Sequence, residues 1–224
     1  MPYPSPYIVE PKEGSPHTYT VILLHGRSST AEEFASDLFT LKDAEAGNTL
    51  KDLFPDFRWV FPDAGHQWCT PFREERSAWF DTFSLDDLTK RQDLQVEGLR
   101  NSVQRLGRIV EDEIERLNGN TRRLVLGGFS QGSAVAFWSI ITGRSISKGR
   151  LGAFIGLSAW IPFRDEVEAS VQSWESTLTL GERLRALEDT ALEVLGLNAM
   201  NTRREMEIGF MDLPVYLGHG TDVC

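Results

Sequence analysis

Residues 122 to 133, RRLVLGGFSQGS, limit what this chain can fold into more than any other stretch. An apolar run leads into Gly128-Phe129-Ser130-Gln131-Gly132, and an apolar helical pattern begins near Ser133. Gly-x-Ser-x-Gly alone arises by chance in about one chain in ten of this length, taking Gly and Ser at roughly 7% each. The context carries the weight. A strand-to-helix turn this tight needs glycines on both sides, holds the serine in a strained conformation and projects its hydroxyl above a sheet. Reading Ser130 as an ordinary helix N-cap does not account for that flanking pattern.

The remaining apolar runs repeat the rhythm. YTVILLH (19 to 25) shows no alternation, the mark of a strand covered on both faces, and GRSSTAEEF after it predicts a helix from about Thr30. FRWVFPDA (57 to 64) reads as a second buried strand ended by Pro62. Leu99, Val103, Leu106, Val110, Ile114 and Leu117 recur at steps of three and four and predict one amphipathic helix within 86 to 117. RRLVLGG, GAFIGLS (152 to 158) and LPVYLGHG (213 to 220) are short strands followed by small-residue loops. Strands separated by helices mean βαβ units and a mostly parallel sheet with helices on both faces. Residues 164 to 210 break the rhythm with a helical segment carrying Leu184, Leu187, Ala191 and Leu195 on one face, expected to be a lid-like insertion over the carboxyl edge.

At 224 residues a single domain is expected. The net charge of −10 disfavours nucleic acid and anionic lipid surfaces as partners. Cys69 and Cys224 are too far apart for a disulfide framework or a metal motif, which suits a reducing compartment. The N-terminus does not read as a signal peptide, and no run approaches the roughly 18 apolar residues of a membrane span, so the cytoplasm is the expected location. The pattern is silent on oligomeric state.

Acyl transfer needs donors where charge develops on the attacked oxygen. The backbone N–H of Gln131 is one, and that of Arg27, in LLHGRSS, is the expected second. His25 just before Gly26 reads as a brace for this loop rather than a base. Asp81 in WFD is expected to hold a turn or cap a helix, and His66 is either a substrate-side contact or a surface residue.

In order, LLHGRSST, FPDAGHQ, SAWFD, LGGFSQGSAVAFW, GLSAWIPF and LGHGTD resemble the acyl-protein thioesterase, lysophospholipase and carboxylesterase family of α/β-hydrolases, over nearly the whole chain except about 164 to 210. The resemblance implies an α/β-hydrolase fold, Ser130 as nucleophile, Gln131 and Arg27 as backbone oxyanion donors, and Trp79 and Trp160 in or near an acyl cleft. It implies a small acyl ester, a lysolipid or an acylated protein as substrate, with no metal or organic cofactor. The family usually has an apolar residue where Arg27 stands, which makes the entrance more polar.

Two parts of the expected triad are missing. The family's acid follows a His-Gly phrase, yet in His219-Gly220-Thr221-Asp222-Val223 the expected register holds Val223, and Asp222 stands one position early. Of His17, His25, His66 and His219, none follows the acid strand by the length that the triad order requires. An oxyanion hole without a base leaves about 10³ to 10⁴ over water. The expectation is therefore a C-terminally truncated family member, inactive or nearly so as written. The rival is a non-catalytic acyl-binding or regulatory module on the same fold.

Overall fold

The computed structural model describes residues 3–145, 149–175, 177–198 and 212–220. Along the chain run β1 (Tyr7–Val9), β2 (Tyr19–Leu24), α1 (Ala31–Thr40), the single turn α2 (Leu50–Leu53), β3 (Phe57–Phe61), β4 (His66–Cys69), β5 (Glu74–Ser77) and α3 (Gln95–Arg116). β6 (Leu124–Phe129), α4 (Gln131–Ile141), β7 (Ala153–Leu157), α5 (Arg164–Gln172), α6 (Leu180–Leu195) and β8 (Val215–Gly218) follow. The main sheet has the order β1-β3-β2-β6-β7-β8, parallel except for β1, and β4 and β5 form a separate antiparallel hairpin. No described helix is long and apolar enough to cross a membrane.

β2 explains why an unbroken apolar run is needed. Its Ile22 and Leu24 face one core with α3, α4 and α6, while Val21 and Leu23 face a second core with α1, Trp59 and Phe61. Alternate side chains point to opposite faces, so a strand covered on both sides must be apolar at every position. From β2 the chain pairs outward to β3 on one side, then returns to place β6 on the other. That reversal leaves a crevice at the carboxyl ends of β2 and β6, the place where ligands bind in open α/β sheets.

The helices begin and end where side chains can satisfy their orphaned backbone groups. α1 starts at a capping box in which Thr30 and Glu33 exchange bonds, and α6 does the same with Thr179 and Glu182, stopping at left-handed Gly196. α3 is shorter than the 86 to 117 segment expected: it starts at Gln95. Ser84 and Asp87 side chains cap the backbone at Asp87 and Thr89, and Arg91 is left-handed, so local bonds compete with helix there. The β4–β5 hairpin and the antiparallel edge strand β1 lie in stretches that no apolar periodicity marks as strands.

α6 buries Leu184, Leu187, Ala191 and Leu195, as its spacing predicts. It packs against α3 and α4, and Leu187, Ala191 and Leu195 join the core of that face. None of the described residues between 164 and 198 lines the depression at Ser130. The rest of the expected insertion, 199 to 210, lies outside the described residues.

Candidate active site

Ser130 joins β6 to α4 with φ 52° and ψ −117°, a region costing a non-glycine residue about 1–3 kcal/mol. Close packing explains both flanking glycines. A Cβ on Gly128 would come within 2.6 Å of the Gly132 carbonyl carbon, and one on Gly132 within 2.5 Å of the carbonyl oxygens of Leu24 and His25. The turn is thus pressed against the end of β2. The Ser130 N–H donates to the Leu157 carbonyl at 2.8 Å, fixing it against β7 as well.

Gln131, 2% exposed, ties this turn to the segment after β5. Its Oε1 accepts from the Trp79 N–H at 2.9 Å, and its Nε2 donates to the Phe80 carbonyl at 2.7 Å and to Thr82 Oγ1 at 3.1 Å. α3 holds that segment from behind, since Gly98 lets the backbone of Phe80 approach and Ser102 Oγ donates to the Trp79 carbonyl.

The loop after β2 is equally braced. His25 is fully buried, and its Nε2 accepts the Ala64 N–H at 3.0 Å. Nδ1 therefore carries the proton and donates to the Gly26 carbonyl at 2.7 Å. Burial pushes the His25 pKa down, so the ring stays neutral. With both nitrogens engaged on backbone, His25 is a brace and not a base. The Trp79 indole N–H completes the unit by donating to the His25 carbonyl at 2.8 Å. Ser28, with φ 64°, donates its N–H to the Ser77 carbonyl and so joins the loop to the hairpin.

These pieces surround a depression of about 180 Å³ lined by Gly26, Arg27, Thr82, Phe129, Ser130 and Trp160, among others. Among the described residues nothing accepts from the backbone N–H of Arg27 or Gln131, and the Ser130 hydroxyl has no hydrogen-bond partner. Two free N–H groups beside the hydroxyl of a partly buried serine can receive a carbonyl oxygen in which negative charge develops. On the other side of Trp160 lies a larger apolar groove of about 280 Å³ between α4 and β8, with Phe137, Ile140 and Leu217 in its wall. Ser130 does not line it.

The expected substrate contacts separate. Trp160 lines both cavities and meets Phe80 edge-on at 5.7 Å. Trp79 is 3% exposed beneath the loops and reaches Ser130 only through Gln131 and His25. His66 is exposed at the start of β4 and lines a different cavity with Tyr3 and Glu75. The Asp81 carboxylate accepts from the Thr70 N–H and hydroxyl and holds the hairpin turn. His219 is exposed, its Nδ1 bonded to the Gly220 carbonyl, and His17 pairs with Thr20 at the amino end of β2, the opposite end from Ser130. Asp222 lies outside the described residues. Sequence reasoning assigned nothing to the Gln131 side chain or to Thr82; a glutamine in the first turn of an apolar helix was the signal, since a buried carboxamide requires partners.

Residues 5–182 match the family model described as Phospholipase/Carboxylesterase. Acyl-protein thioesterase 1 of Yarrowia lipolytica is 32% identical over 167 residues, 74% of this chain and 66% of that protein. Acyl-protein thioesterase 1 of Cryptococcus neoformans is 26% identical over 166 residues, 71% of this chain and 60% of that protein. The chain thus spans less than two thirds of the length of these relatives over the matched region. The crystal structure of Zea mays acyl-protein thioesterase 2 superposes with a TM-score of 0.58 at 18% identity, covering 99% of this chain and 91% of that one, a likeness of fold.

Proposed function

The chain belongs to the phospholipase/carboxylesterase family of α/β-hydrolases, and we propose that its site is that of a serine hydrolase acting on carboxylic esters or thioesters through a Ser130 acyl-enzyme. The observation that carries this is the strained, unpartnered Ser130 hydroxyl beside two free backbone N–H groups. In the first half-reaction Ser130 Oγ bonds to the carbonyl carbon and loses its proton, and the oxyanion accepts from the N–H groups of Gln131 and Arg27. The tetrahedral species expels a protonated alcohol or thiol. Water then repeats the addition on the acyl-serine, releasing the acid and restoring the hydroxyl. Small esters, lysolipids and acylated proteins fall within this chemistry, and the position of Trp160 in the wall of both cavities supports it as an acyl contact.

His25 is fully engaged, and no other described side chain bonds to Ser130. A hydroxyl without a base stays a poor nucleophile, so with the described side chains alone we expect p-nitrophenyl esters to turn over slowly. The same observation favours the second reading, an acyl-binding module without turnover. A fluorophosphonate probe separates the two, because it requires an activated serine. Labelling at Ser130 that disappears in Ser130→Ala is the result expected of a hydrolase site. A folded chain that binds acyl esters yet never reacts would leave the binding module.

A further inference from the structure

Arg27 is the one charged residue in the described wall around Ser130. It is half-buried, and its guanidinium stands 5.2 Å from the centroid of the Phe72 ring in the β4–β5 turn. Arg76 lies over the same ring at 3.9 Å. Arg76 has an ion pair with Glu74, and the nearby Asp81 carboxylate is occupied by Thr70. Among the described residues Arg27 has neither an ion pair nor a hydrogen bond. In a chain with 33 acidic residues against 23 basic ones, a cation left without an acceptor at the mouth of the site is a departure that needs a reason. Partial desolvation pulls its pKa below the usual value, so holding the charge there costs free energy that a bound anion would return.

We propose that Arg27 is a specificity-determining residue favouring acyl esters and thioesters that carry a carboxylate or phosphate near the scissile carbonyl, on the side facing the hairpin. This rests on Ser130 as the acyl acceptor. The overall charge of −10 repels polyanions, so the group recognised is a single anion on a small or locally acidic substrate. A purely structural Arg27, stacked on Phe72 to hold the hairpin, would alter stability without altering selection between charged and neutral substrates.

The test compares two fluorophosphonates of equal length, one ending in a carboxylate and the other in the matching primary amide, on the full chain. We expect the carboxylate probe to label Ser130 about tenfold faster, a ratio of the size that one partly solvated charge-assisted bond supplies. The ratio falls to about one in Arg27→Gln, is partly kept in Arg27→Lys, and shrinks with added salt. A probe ending in a phosphate monoester that outpaces the carboxylate supports the same proposal and identifies the anion. Equal rates in the native chain, or a ratio unmoved by Arg27→Gln, overturns it. Binding of unreactive anionic and amide analogues to Ser130→Ala, followed by calorimetry, separates the two levels. Discrimination there without any labelling of the native chain would remove Ser130 as nucleophile but keep Arg27, whereas labelling without discrimination removes Arg27 alone.

Discussion

His25 shows how a residue that looks chemical can be spent on architecture. One nitrogen accepts from Ala64, the other donates to Gly26, and its backbone carbonyl receives the Trp79 indole, so this residue ties the loop after β2 to the segment beneath. Burial lowers its pKa in the folded chain, while the unfolded chain titrates near the ordinary histidine value of about 6.5. The folded state then binds fewer protons, so this contribution to stability is fully present above pH of about 6.5 and is lost as the pH falls below it. Burial lowers the His17 pKa too, with the same sign. Urea unfolding should therefore show stability dropping between pH 7.5 and 5.5, with a smaller drop in His25→Asn. An unchanged slope in that variant would mean that His25 does not titrate with folding. Gly132 belongs to this scale as well: its missing side chain lets α4 begin against the carbonyls of His25 and Leu24.

Among the elements, α6 best separates packing from function. Its spacing marks an apolar face, and Leu195 at 0% exposure joins the core shared with α3 and α4. Leu195→Ala should cost about 2–5 kcal/mol by urea unfolding, as deletion of a buried leucine does. A helix that only covers a cleft would lose less than about 0.5 kcal/mol on the same change. The β4–β5 hairpin is the contrasting case, because its strands are short and their side chains mixed, so no periodicity announces them. It is held by Asp81 on Thr70 and by the bond from Ser28 to Ser77, contacts between residues 11 and 49 positions apart.

At the scale of the whole molecule, the sheet has opposite needs at its two ends. The carboxyl ends of β2 and β6 carry strain and unpartnered donors, while the amino ends are closed by a buried ion pair. Arg58 on β3 and Glu113 on α3 meet at 3.0 Å with side chains each 6% exposed, and Glu10 and Thr20 add bonds to them. Glu113→Gln leaves the buried guanidinium only the exposed Glu10 as a charge partner and should cost up to about 3–5 kcal/mol in thermal or urea unfolding. The double variant Arg58→Met, Glu113→Leu should recover most of that loss, and its failure to do so would show that the pair contributes more than the avoidance of an unpaired charge. The sequence alone determined the βαβ rhythm, the twice-covered central strand, the caps of α1 and the tight turn at Ser130, because each follows from periodicity or backbone sterics within a few residues. It could not say that β2 pairs with β6 at Leu24 opposite Gly128, that Trp79 lies beneath the loops while Trp160 stands in the cleft, or that Arg27 lacks an acceptor. Those outcomes depend on contacts between segments far apart along the chain, and only the assembled core sets which groups meet and which are left open.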